Sequence, residues 1–290
     1  VPLARRMFLG QKSATRRLRT MKKAYVVLGM HRSGTSSVAG VLALLGAAAP
    51  KSLMGPAADN PKGFWESYAV SELNDRILAT GDSNWADWRA FPQELSDPFR
   101  GDGVRLLRSE FDGADVIVLK DPRACRLYPF WREVLSEAGY SPAVLCPIRH
   151  PAEVQASLTY RNGMASEDGV RLWLRHVLDA ERFSRDQPRL FMLWSDFLTD
   201  WRAELGRMSG FGSLDLLLND DQIAGRISEF LSQDLHHHRH DDVGSDSLDG
   251  RVFKVLSDLA RRGETSQLVG KLEGLRDEFE AACRATEPRR

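Results

Sequence analysis

Ala24-Tyr-Val-Val-Leu28, running straight into Gly29-Met-His-Arg-Ser-Gly-Thr-Ser-Ser37, is the stretch on which the fold turns. The apolar run carries β-branched residues and stops at a glycine, so it reads as a buried strand. Small residues make the loop after it, and a helical stretch from about Thr35 to Leu45 closes at Gly46. A strand that turns through such a loop into a helix aims backbone N–H groups and the positive helix end at one spot. That spot suits an anion.

The spacing is close to the ATP-binding phosphate loop, with Gly29 and Gly34 correctly separated and Ser36 in the Ser/Thr place. Thr35 stands where the lysine that reaches a β/γ-phosphate belongs, and Arg32 supplies a cation from elsewhere in the loop. The cradle is thus adapted to a ligand without a triphosphate. The plainer alternative is a turn whose Ser and Thr side chains simply cap the helix.

Outward from this point, strands and helices alternate. Further strands are expected at Asp115–Leu119, Pro142–Ile148 and Arg189–Trp194. Helices are expected at Ser67–Ala79, Val104–Phe111, Leu127–Ala138, Pro151–Tyr160 and Glu167–Arg185, with a helical pattern beyond Asp196. The alternation predicts an α/β protein: a phosphate-loop-like, three-layer fold with a central parallel sheet flanked by helices and a helical C-terminal region. Ligands of such sheets gather at the carboxyl ends of the strands. The distinctive residues do stand there, after Leu28, Leu119, Ile148 and Trp194.

The bulk of the chain narrows the choice of partner. Its 290 residues carry 40 Lys and Arg against 40 Asp and Glu, so the basic excess of a nucleic-acid binder is missing. No apolar run approaches the ~20 residues of a membrane span. Three cysteines, Cys125, Cys146 and Cys283, form neither a disulfide framework nor a metal spacing, which points to the cytoplasm. Residues 1–23 hold eight Lys or Arg and no acid, and are expected to form a basic, flexible tail. The chain opens on Val1, which fits a non-standard start or a trimmed piece alike.

A second anion site is spelled by Ile148-Arg-His-Pro-Ala-Glu-Val-Gln-Ala-Ser157 and its continuation to Arg161. Arg149 leaves the strand, Pro151 starts a helix, and Ser157 and Arg161 lie four apart on one face. Two guanidinium groups and a hydroxyl suit a phosphate dianion. A solvated helix face with an ordinary arginine pair is the alternative.

The loop Arg32-Ser-Gly-Thr35 resembles the 5′-phosphosulfate loop of sulfotransferases that use 3′-phosphoadenosine-5′-phosphosulfate (PAPS). It is closest to the branch with the tyrosylprotein sulfotransferases and many bacterial enzymes; cytosolic aryl and steroid sulfotransferases carry Lys-Ser-Gly-Thr. The resemblance spans roughly Ala24 to Leu198 and implies that Arg32, Ser33, Gly34, Thr35, Ser36 and Ser37 hold the 5′-phosphosulfate. It likewise implies that Arg149, Ser157 and Arg161 hold the 3′-phosphate, and that adenosine 3′,5′-bisphosphate is the product. Lys120, in Val118-Leu-Lys-Asp-Pro-Arg123, matches a catalytic lysine and is assigned, with Arg32, to the bridging oxygen and the sulfuryl charge.

Glu66, in Asn60-Pro-Lys-Gly-Phe-Trp-Glu66, is the favoured base, with burial by Phe64 and Trp65 expected to raise its pKa. His31 and Asp121 are its rivals. The histidine base of the cytosolic enzymes falls here on Pro122, and their adenine-closing C-terminal glycine loop has no counterpart, which leaves Tyr160 and the helix after it to consider. The resemblance implies a sulfotransferase domain over residues 24–240, with 241–290 a helical extension packed on it. The acceptor is a small-molecule or glycan hydroxyl, the mechanism asks for no metal, and the oligomeric state is not legible.

Two other features are read blandly. His236, His237, His238 and His240 fit a solvated loop better than a metal site, and Trp85 and Trp88 are expected to pack their loop onto the domain rather than stack on an acceptor. Trp173 and Trp194 are expected in the core. The rival functions are an ATP-dependent kinase using Asp121 for magnesium, and a non-catalytic nucleotide-binding protein.

Overall fold

A computed structural model describes residues 22–57, 60–207, 217–231 and 246–286. The basic tail through residue 21 and the His236–His240 cluster lie outside the described residues. Four strands, β1 (Lys22–Val27), β2 (Val116–Lys120), β3 (Tyr140–Ile148) and β4 (Arg189–Leu193), form one parallel sheet in the order β2-β1-β3-β4. The expected strands are all present. β1 starts two residues earlier than its apolar run because Lys23 N–H bonds the Asp115 carbonyl and the Lys22 ammonium lies over the Tyr140 ring.

Along the strands, alternate side chains enter opposite layers. Ala24, Val26, Ile117, Leu119, Val144, Cys146 and Phe191 face one core, and Tyr25, Val27, Val118, Ala143, Leu145 and Met192 face the other. The second core is covered by α1 (Thr35–Leu44), α7 (Trp194–Thr199), α8 (Trp201–Gly206) and α9 (Asp221–Phe230). The first takes α2 (Tyr68–Ala79), α3 (Arg100–Phe111), α4 (Tyr128–Glu137), α5 (Pro151–Asn162), α6 (Ser166–Phe183), α10 (Leu248–Arg262) and α11 (Ser266–Thr286). The result is the three-layer α/β arrangement.

One helix differs from its expected start. α3 begins at Arg100 rather than Val104, because Gly101 and Gly103 blunt the helical signal in sequence. Gly103 is there for space: a Cβ on it would come within 2.8 Å of Val134 and 3.0 Å of Phe130.

β1 has β2 on one side and β3 on the other, so the chain reverses direction of winding between β1 and β3. A crevice opens at the carboxyl ends of strands at such a point. The β1–β3 ladder ends at Val27 and Leu145, with one further bond from Leu28 N–H to the Leu145 carbonyl, while β3 and β4 stay paired to Ile148 and Leu193. β3 is a central strand with two prolines, which is unusual. Val144 donates toward β4 and Leu145 accepts from β1, so even-numbered positions face β4 and odd-numbered ones β1. Pro142 therefore lacks its donor where β4 has not yet begun, and Pro147 lacks its donor where β1 has already left.

Candidate active site

The loop between β1 and α1 lies at the floor of this crevice. Gly34 has φ +83°, and a Cβ there would lie 2.2 Å from the Trp194 ring, so only glycine can close the turn. Arg32 also sits in the left-handed region, at φ +68°, a conformation that costs roughly 1–3 kcal/mol in a residue with a side chain. Trp194 enters the core as expected, 6% exposed, but its face is also the wall behind the loop.

α1 has no side-chain cap and no acidic residue in its first turn. Ser67, His150, Asp220 and Ser247 cap α2, α5, α9 and α10, whereas α3, α4, α6 and α7 share with α1 the lack of a side-chain cap. The reading of the loop's Ser and Thr residues as mere caps therefore fails. The first N–H groups of α1 have no acceptor within the helix, and two buried polar atoms of the loop, Ser33 Oγ and His31 Nε2, have no hydrogen-bond partner among the described residues. Buried polar atoms are nearly always paired; these two belong to the loop, while others such as Tyr128 Oη and Arg276 Nε lie elsewhere.

On one side of the loop, the Arg32 Nε donates to Ser157 Oγ at 2.8 Å. The Arg149 Nη1 donates to the Arg32 carbonyl at 3.0 Å, and its Nε pairs with Glu153 at 2.7 Å. Trp173 Nε1 donates to the Arg149 carbonyl, so this core tryptophan also fixes the strand end. Arg161 lies one helical turn past Ser157, with its guanidinium over the Trp85 ring and its Nε donating to Asn162 Oδ1. Arg32, Arg149 and Ser157 thus meet at the β1–β3 crevice, with Arg161 one helical turn farther along α5 and over Trp85.

On the other side stands Lys120, at the end of β2 and 4% exposed. Its ammonium donates to Glu66, to the Phe64 carbonyl at 3.0 Å and to Ser36 Oγ at 3.3 Å. Ser36 Oγ in turn donates to the Phe64 carbonyl, and Asn60 Nδ2 reaches Ser36 at 3.3 Å. A buried ammonium is tolerable only with such partners. Trp65, at φ +58°, packs edge-on against Phe230 and leaves Glu66 to face the lysine. Glu66 is buried, and its carboxylate accepts from the Lys120 ammonium. Burial holds the Glu66 carboxyl above its usual range, the Asp121 charge adding to this and the Lys120 ammonium opposing it.

The two rival bases are placed differently. The Asp121 carboxylate caps the turn at Pro122–Cys125, accepting from the Arg123 N–H at 2.9 Å and from its guanidinium. His31 meets Trp85 edge-on at 5.1 Å. Burial, and after it the charges of His176, Arg161, Arg123 and Lys120, keep its imidazole well below the usual pKa and therefore neutral. Glu153 as the partner of Arg149, the Phe64 carbonyl as the partner of Lys120, and Trp194 as a wall of the loop were not foreseen in the sequence. Of these only Glu153 left a trace, four residues after Arg149. Tyr160, considered for the adenine, is 94% exposed.

No family model matches the chain, and no curated protein matches it. Among solved structures it is similar to the sulfotransferase domain from the Synechococcus PCC 7002 olefin synthase, with 19% identity, a TM-score of 0.41, and coverage of 89% of this chain and 94% of that one. Among the described residues, no helix is long and apolar enough to cross a membrane.

Proposed function

We propose that the protein is a sulfotransferase that moves a sulfuryl group from PAPS to an acceptor hydroxyl of a carbohydrate, lipid or secondary metabolite. The observation that carries this reading is the pair of cationic clusters flanking one uncapped loop. Lys120 stands over Ser36 on one side, and Arg32, Arg149 and Ser157 interlock on the other. One cluster suits a phosphosulfate that is being broken, the other a phosphate that is only held.

The donor fits the residues present. The α1 N-terminus, Ser33 Oγ and the side chains of Arg32, Ser36 and Ser37 would hold the 5′-phosphosulfate, and Arg149, Ser157 and Arg161 the 3′-phosphate. When bound, PAPS supplies a sulfuryl group on a good phosphate leaving group. Sulfuryl transfer, like phosphoryl transfer, leaves the protein to position the partners and stabilise charge. Lys120 and Arg32 meet the charge that develops on the oxygen facing the transferring group. Glu66, beside Lys120, takes the acceptor proton. Burial raises its pKa, which strengthens it as a base, and the adjacent Lys120 ammonium opposes that rise. Asp121, committed to Arg123, is poorly placed to serve magnesium in a kinase.

Calorimetric titration with adenosine 3′,5′-bisphosphate, beside ATP with magnesium, tests the reading. Metal-independent binding of the bisphosphate and little binding of ATP is the expected result. A preference for ATP with magnesium would move the protein to the kinases. Binding of the bisphosphate with no turnover of any acceptor would leave a non-catalytic nucleotide-binding protein.

A further inference from the structure

We propose that Trp85 is a positioning residue that holds the Arg161 guanidinium at the crevice and so sets the preference for a nucleotide bearing a 3′-phosphate. This deepens the reading above, in which Arg161 belongs to the 3′-phosphate site, and rests on it.

Trp85 touches both elements that build the crevice. Its ring lies 5.9 Å from the Arg161 guanidinium carbon, on α5, and meets the His31 ring edge-on at 5.1 Å and 69°, in the loop after β1. Those two elements are joined elsewhere by the bond from Arg32 to Ser157. The indole is therefore a second brace across the same gap.

The loop that carries Trp85 is sewn down on both sides of it. Arg126, fully buried, donates from Nη1 to the Asn84 carbonyl at 2.9 Å and from Nη2 to Ser83 Oγ and the Arg89 carbonyl. Arg175, also buried, donates from Nε to the Trp88 carbonyl at 2.7 Å. Arg126 ends the segment that starts at Lys120, so the position of the indole is referred to the strand that presents the lysine. Two buried guanidinium groups spent on loop carbonyls make a rigid platform rather than a surface turn.

An arginine on a helix face samples many rotamers, and fixing it on binding costs affinity. Stacking uses the face of the guanidinium and leaves its forked edge for hydrogen bonds to phosphate. A rigid ring beneath Arg161 thus lowers the ordering cost of a contact that only the 3′-phosphate makes. The 5′-phosphosulfate, held by the loop after β1, gains nothing from it.

The test is calorimetric titration of the full chain with adenosine 3′,5′-bisphosphate and with adenosine 5′-monophosphate. The variants are Trp85→Leu, which keeps bulk without an aromatic face, Trp85→Phe, Arg161→Ala, and Trp85→Leu with Arg161→Ala. Trp85→Leu should weaken the bisphosphate about three- to tenfold and the monophosphate less than about twofold, the size of one stacked cation. Trp85→Phe should restore most of the loss, and the double variant should bind the bisphosphate no more weakly than Arg161→Ala. Equal losses for both nucleotides, no rescue by phenylalanine, or additive losses in the double variant would overturn the role of Trp85 and leave the donor reading standing. A wild-type chain that binds both nucleotides equally would overturn the donor reading, and this inference with it.

Discussion

Two buried charged regions of the molecule are built from the same side chains to opposite ends. Between α6 and α11, arginines are answered by carboxylates: Arg175 by Glu280 and Asp179, Arg276 by Asp179, Arg185 by Glu181 and Glu273, and Arg189 by Glu181 and Glu264. At the loop after β1, the helix end carries no side-chain cap and no acid, and Ser33 and His31 each bury a polar atom without a partner among the described residues. In the first region the guanidinium charges are answered by carboxylates of the same chain, although Arg276 Nε has no partner among the described residues. In the second the cations are also paired, Lys120 with Glu66 and Arg149 with Glu153, but they flank a helix end that has neither cap nor acid. Cation burial alone therefore does not mark a binding site; the proposed one is distinguished by the uncapped helix end that lies between its ion pairs.

Arg175→Ala should break this contrast most strongly. Removing one member of a buried ionic network costs about 3–5 kcal/mol, because the carboxylates left behind lose their partner. Chemical denaturation should show that loss, while the affinity of folded protein for adenosine 3′,5′-bisphosphate should fall by no more than the roughly three- to tenfold expected of Trp85→Leu, since Arg175 also holds the Trp88 carbonyl. Lys120→Ala comes next. Loss of a group that stabilises transition-state charge should lower kcat about 10²–10³-fold in a sulfuryl-transfer assay, with bisphosphate affinity largely kept. If nucleotide binding falls as far as turnover does, Lys120 is part of the ground-state site and the division between the two clusters is wrong.

Arg149→Ala should weaken the bisphosphate about 10- to 100-fold in calorimetry, the range of a charge-assisted bond, while kcat at saturating donor changes little. The smallest effect is in the pH profile. A base must be ionised to accept a proton, so kcat should fall as pH drops through the Glu66 pKa. Since burial raises that pKa, the acidic limb should lie above the ~4.3 of a free glutamate. Glu66→Gln should lower kcat and abolish the limb. A limb that survives in that variant would shift the base to His31.

Much of this arrangement was legible in the residues themselves. Runs such as Ala24–Leu28 and Asp115–Leu119 identify strands because β-branched side chains fill both faces of a covered sheet. The loop Gly29–Ser37 declares itself because the turn at Gly34 tolerates no side chain. What remained hidden are pairings between distant positions. Glu66 and Lys120 stand 54 residues apart, and nothing in either neighbourhood names the other. Asp121 has the composition of a catalytic acid, and only the folded turn shows it committed to Arg123. Trp85 read as loop packing because its contacts, His31 and Arg161, come from two other elements.

The two prolines of β3 have a consequence for topological fidelity. A parallel strand between two neighbours can slide by two residues and keep its faces correct, so side-chain pattern alone does not forbid the error. Here a slide in one direction sets Pro147 beside the last carbonyls of β1, and a slide in the other sets Pro142 beside the first of β4. Either way a ladder bond is lost that the true register keeps. The imino acids act as end stops: they admit one alignment of the sheet's middle strand, and through it one alignment of Arg149 with the loop that it braces.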